Sequence, residues 1–63
     1  MSDFKSRLMI EHNELIDRIG KLKSFLWGSI FNGLEETDRA LLIKQLAFME
    51  AYERTLATRI TRL

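Results

Sequence analysis

Residues 28–37 read GSIFNGLEET, and this stretch decides the fold. Gly28 suits the left-handed position that ends a helix, and Asn32-Gly33 is a strong turn dipeptide. The chain on either side keeps a helical period. Before the break, apolar residues recur at Phe4, Leu8, Leu15, Ile19, Leu22 and Leu26, with Gly20 the one glycine and no proline. Ser2 is the expected N-cap, Asp3 complements the helix dipole, and Gly20 costs roughly 1 kcal/mol against alanine. After the break, Glu35, Glu36 and Asp38 mark the start of a second helix near Glu36 or Thr37, and Arg54, Arg59 and Arg62 gather towards its end. The reading is therefore all-α: a helix over 3–27, an apolar loop over 28–36 and a helix over 37–62.

Helices of about 25 residues are roughly 37 Å long and suit an antiparallel two-helix hairpin. Folded at the break, residues whose numbers total about 64 lie level, placing Leu8 on Leu56, Leu15 on Met49 and Leu22 on Leu42. Ile30, Phe31 and Leu34 are expected to plug the hairpin end near Leu26 and Leu41. One seam does not use all the apolar residues. Met9, Ile10, Ile16, Leu41, Ile43, Leu46 and Phe48 fall beside it or outside it, so the hairpin is expected to assemble as a homo-oligomer.

Composition narrows the function classes. With 63 residues and no cysteine there is one small domain and no disulfide, and a single histidine leaves no structural zinc site. Ten basic residues against nine acidic ones give a net charge of +1, too little for a dedicated DNA or RNA binder. No proline and 46% apolar residues argue against disorder. No apolar run is long enough to span a membrane, and the N-terminus has no apolar leader, so a cytoplasmic protein is expected. No phosphate-binding loop, dinucleotide fingerprint or nucleophile elbow is present. His12 reads as a solvated surface histidine, and Lys21, Lys23, Arg54 and Arg62 as a solvated face. No metal, no cofactor and no enzymatic activity are expected.

One row of the second helix stands apart. Leu42, Met49, Leu56 and Leu63 form an apolar heptad row, but the row beside it is Gln45, Tyr52 and Arg59. The first helix has a matching row of Phe4, Glu11, Arg18 and Phe25, which the register brings near it, Arg18 by Gln45 and Glu11 by Tyr52. Two readings fit. The row is either a polar layer that fixes register and oligomer state, or the wall of a pocket for a planar anion. In the second case Tyr52 stacks on a ring and Arg59 grips a phosphate. Trp27, beside Gly28, caps the core or lines the mouth of such a pocket.

The spacing also resembles a family of small phage proteins known by relation to a crAss-like phage product. The shared elements are Glu11-Glu14-Leu15, Lys21-Leu22-Phe25, Asp38-Arg39-Leu41-Leu42-Gln45, Met49-Tyr52 and Arg59-Ile60. This resemblance implies a phage protein acting in the cytoplasm of an infected bacterium. In size and hairpin form the chain is also similar to the phage sponges that oppose the CBASS and Thoeris defences by sequestering immune nucleotides between subunits. By that analogy it is a non-enzymatic homo-oligomer that binds a cyclic oligonucleotide or a cyclic ADP-ribose type signal. The alternative is a structural or protein-interaction module that grips a host or phage protein through Met9, Ile10 and Phe48.

Overall fold

Helical periodicity on both sides of the break gives two long helices, and the computed structural model describes them over residues 3–63. α1 spans Asp3–Leu26, a short α2 spans Ser29–Asn32, and α3 spans Glu36–Thr61. The described residues contain no strand. The proposed cap at Ser2 lies outside them.

The break is built differently from the expectation. α1 closes with two tight backbone bonds, Trp27 N–H to Ser24 O at 3.3 Å and Gly28 N–H to Phe25 O at 2.9 Å. Gly28 has φ −89° and ψ 165°, so it is extended and acts as the N-cap of α2 instead of taking a left-handed conformation. No described residue has positive φ. Glycine still has a reason to be there, because a Cβ at this position would sit 3.3 Å from the Phe25 carbonyl oxygen. The stretch read as a loop thus contains a turn of helix, which ends at Gly33 with three backbone carbonyls (Ser29, Ile30, Phe31) around its cap. α3 follows from Glu35, whose side chain makes no capping bond, with Glu36 and Asp38 supplying negative charge to the first turn.

α1 and α3 pack side by side in opposite directions. The pairs His12–Glu53 and Lys23–Glu50 cross between them at 2.7 and 3.1 Å. The first lies near the expected level. The second reaches further along the axis because side chains lean towards the N-terminus of their own helix, so Lys23 and Glu50 run to meet each other. Leu8, Leu15, Ile19 and Leu56 form the buried core, with Leu46, Met49 and Ile60 packed against it. Leu56 is only 1% exposed. Leu22 and Leu42 are half-buried, and Leu63, at the end of the apolar row, is exposed beyond α3.

At the turn, Phe31 meets Phe25 edge to face, with ring centroids 6.3 Å apart and planes at 82°. Phe31 and Leu34 are half-buried, but Ile30 is 69% exposed and does not plug the end. A four-residue helix presents one side inward, and Phe31 takes it. Trp27 is 89% exposed, so it does not cap the core either. The molecule measures 49 × 15 × 12 Å with a radius of gyration of 14.7 Å, against about 10–11 Å for a compact chain of this length. Met9, Ile10, Ile16, Leu41, Ile43 and Phe48 are all exposed, as their places off the seam required, whereas Leu46, placed with them by the spacing, packs against the core. No helix among the described residues is long and apolar enough to cross a membrane.

A groove along the outer flank of α3

Residues four apart on a helix share a face, so Leu41, Gln45, Met49 and Lys44, Phe48, Tyr52 stand as two adjacent ridges. Between them runs an open groove of about 510 Å³, lined by these six side chains alone. Its floor and walls are mostly apolar. Phe48 is 65% exposed and Tyr52 45%. The Lys44 ammonium stands 6.0 Å from the Phe48 ring centre, close enough to be attracted by its π face. Gln45 Nε2 donates weakly to Met49 Sδ at 3.8 Å, leaving its carbonyl oxygen open to the groove. The combination is two aromatic rings, an ammonium and an amide on a water-accessible apolar surface. It suits a flat molecule carrying negative charge.

The remaining candidates lie elsewhere. Arg59 is exposed on the same side of α3, two turns or about 10 Å beyond Tyr52. Arg18 lines a separate depression of about 420 Å³ on α1, among Asn13, Glu14, Asp17 and Lys21. Lys21 pairs there with Asp17 at 3.0 Å. Glu11 is exposed on α1, and Trp27 stands alone at the turn. A single chain therefore gathers Gln45 and Tyr52 into one groove and leaves Arg59, Arg18, Glu11 and Trp27 outside it. Because Gln45, Tyr52 and Arg59 are all exposed, they do not form a buried polar layer within the helix pair. Leu41, Lys44, Phe48 and Met49 line the groove but are not among the predicted site residues. Counting polar heptad positions passes over Lys44 and over apolar walls, although the off-seam positions of Leu41 and Phe48 are a signal for them.

His12 overturns its expectation. It is half-buried between the helices, and Nε2 donates to the Glu53 carboxylate oxygen Oε2 at 2.7 Å. Lys23 is likewise engaged, with Glu50, and is not merely a solvated charge. Beside the His12 pair, Met9, Asn13, Ala57, Ile60 and Thr61 complete a smaller cleft of about 260 Å³ between the helices. Among the described residues no three histidine, aspartate or glutamate side chains converge as a metal site would require.

A protein-family model described as Sequestin matches residues 2–62. The chain belongs to the Sequestin family. The match takes in all three helices and the groove together, and the family name is one of sequestration, which fits a binding role. No curated protein and no solved structure matches the chain.

Proposed function

We propose that the protein is a sponge: it binds a nucleotide second messenger and holds it without cleaving it. The observation that carries this reading is the Sequestin match over residues 2–62, which joins a name for sequestration to a chain with an exposed aromatic, cationic groove. The ligand class is a cyclic oligonucleotide or a cyclic ADP-ribose type signal, of the kind used by CBASS and Thoeris. The protein acts in the cytoplasm of a bacterium infected by the phage that encodes it. Sequestration works by mass action. Protein in excess over the signal keeps the free concentration below what the effector needs, and no catalytic group is called for.

Tyr52 stacks on a base, contributing about 1–3 kcal/mol. Arg59 supplies the planar fork for a phosphate, with the amide of Gln45 on a base edge. Arg18, Glu11 and Trp27 take part where subunits of a homo-oligomer adjoin. Calorimetric titration of the purified protein with cyclic di- and trinucleotides and cyclic ADP-ribose isomers tests this. Heat at micromolar ligand is expected for at least one of them, and silence from all of them well above micromolar would end the proposal. Arg59→Ala should weaken binding by roughly 10- to 150-fold, the equivalent of about 1.5–3 kcal/mol. Arg59→Lys should also weaken it, because lysine keeps the charge but lacks the fork.

A second reading is favoured by the exposure of Met9, Ile10 and Phe48: a helical module that grips a host or phage protein. Heating the purified protein separates the two. Released nucleotide absorbance supports the sponge, whereas a stoichiometric protein partner with no released nucleotide supports the module.

A further inference from the structure

We infer that Lys44 sets the selectivity of the α3 groove: it favours flat aromatic molecules with an anionic group beside the ring over neutral or cationic ones. That the natural ligand is a nucleotide rests on the sponge reading. The preference for an anion does not.

The lining gives the first argument. Six side chains wall the groove, and Lys44 alone among them is charged. The other five offer aliphatic carbon, a thioether, two aromatic rings and a neutral amide. Nothing nearby on the helix cancels the ammonium. The neighbours of position 44 on its own face are Ala40, Leu41, Ala47 and Phe48. Among the described residues the lysine ion pairs are Lys21 with Asp17 and Lys23 with Glu50, and Lys44 is in neither. The depression on α1 is different, because there Arg18 and Lys21 are matched by Glu14 and Asp17. Of these two surfaces, the groove is the one with an uncompensated charge.

The resting place of that charge gives the second argument. The Lys44 ammonium lies over the Phe48 ring, 6.0 Å from its centre. A ligand ring that stacks there has to displace it, and with it the attraction between cation and π face. A neutral ring returns nothing for that loss, and a cation is repelled as well. An anionic ring draws the ammonium onto its own charge, so the lost contact is replaced by a stronger, charge-assisted one. Lys44 is thus the cover of the Phe48 ring in the free chain and the clamp on the ligand in the complex.

Spacing gives the third argument. Lys44, Phe48 and Tyr52 follow at intervals of four residues, in one row and about 6 Å apart along the axis. A ligand lying along the row meets the rings with its aromatic part and the ammonium with a group about one helical turn away. Lysine is a compact point charge without a planar fork, so it selects by sign and position and accepts a phosphate, a sulfonate or a carboxylate alike. Arg59 lies on the far side of Tyr52, about 22 Å from Lys44 along the helix, and does not compete for that group.

Two fluorescent dyes built on the same rings test the inference: anilinonaphthalene sulfonate, an anion, and phenylnaphthylamine, its neutral counterpart. The full chain should bind the sulfonate more tightly. Lys44→Gln should weaken sulfonate binding roughly fivefold or more and leave the neutral dye bound as well as before. Lys44→Arg should keep the preference, and so should Arg62→Gln, which removes one charge outside the groove. The preference should fade in about 1 M salt, where the screening length falls to about 3 Å. Equal binding of both dyes, binding of neither, or a sulfonate preference that survives Lys44→Gln would overturn the inference. Should circular dichroism show that Lys44→Gln disturbs the helices, Lys44→Met, with a good helix former of similar length, takes its place. A sulfonate preference that depends on Lys44, with no heat from any nucleotide, keeps the inference and ends the sponge. Nucleotide binding indifferent to Lys44→Gln and to salt does the reverse.

Discussion

The two ends of this helix pair are held in different ways. Towards the chain termini, Leu8 and Leu15 of α1 close on Leu56 of α3, and His12 is tied to Glu53 beside them. Towards the turn, Leu22, Phe25, Leu26, Phe31, Leu34 and Leu42 are all half-buried. Beyond the buried Ile19, none of these six apolar side chains at the turn end is fully hidden. A seam between two helices fully hides only a side chain that has neighbours along the helix and across it, and aliphatic residues at spacings of four and seven meet that condition. Bulky rings beside a four-residue helix touch at their edges and keep a face to water. Number of apolar residues therefore says less about firmness here than their placement does.

Substitutions can break this contrast. Leu56→Ala should have the largest effect, about 2–5 kcal/mol, because the side chain is fully enclosed. For a chain this small that is a large share of the total, and thermal or urea unfolding followed by circular dichroism should find the variant largely unfolded. Phe31→Ala should cost less, about 1–2 kcal/mol, since only part of the ring is covered. A loss equal to that of Leu56→Ala would show that the turn is as firmly packed as the other end. The His12–Glu53 pair should show a coupling of about 0.5–1 kcal/mol in a double-mutant cycle with His12→Gln and Glu53→Gln. Zero coupling would make the terminal end purely aliphatic. Gly20→Ala should have the smallest effect, a gain of about 0.5–1 kcal/mol, because glycine costs helix entropy and a Cβ there meets nothing within 4 Å. A stabilised chain that no longer self-associates would instead show another helix crossing at Gly20.

The contrast also shows what could be read from the residues alone. Helical period and dipole charges are local properties, and they placed two long helices on either side of residues 28–37. Gly28 was read correctly as a helix end but wrongly as left-handed, because the tight turn and the onset of α2 leave it extended. Hydrophobicity puts Ile30 inside, and Trp27 too in one of its two readings, yet burial is set by which side of a short turn faces the core. The His12–Glu53 contact joins residues 41 positions apart, and no local pattern announces such a pair. The groove was half legible. Heptad spacing put Gln45 and Tyr52 on one flank, whereas its other walls, Leu41, Lys44, Phe48 and Met49, lie outside the polar row that the spacing set apart.

Trp27 is the single tryptophan of the chain and is 89% exposed. In a single folded chain its fluorescence should therefore already be that of an indole in water. Unfolding by urea should hardly move the emission maximum, and quenching by iodide should be as efficient before the transition as after it. That makes the residue a poor witness to folding and a selective one to contact. A molecule that settles on the turn would shift the emission to the blue, whereas one that occupies the flank of α3 would leave it dark to the event.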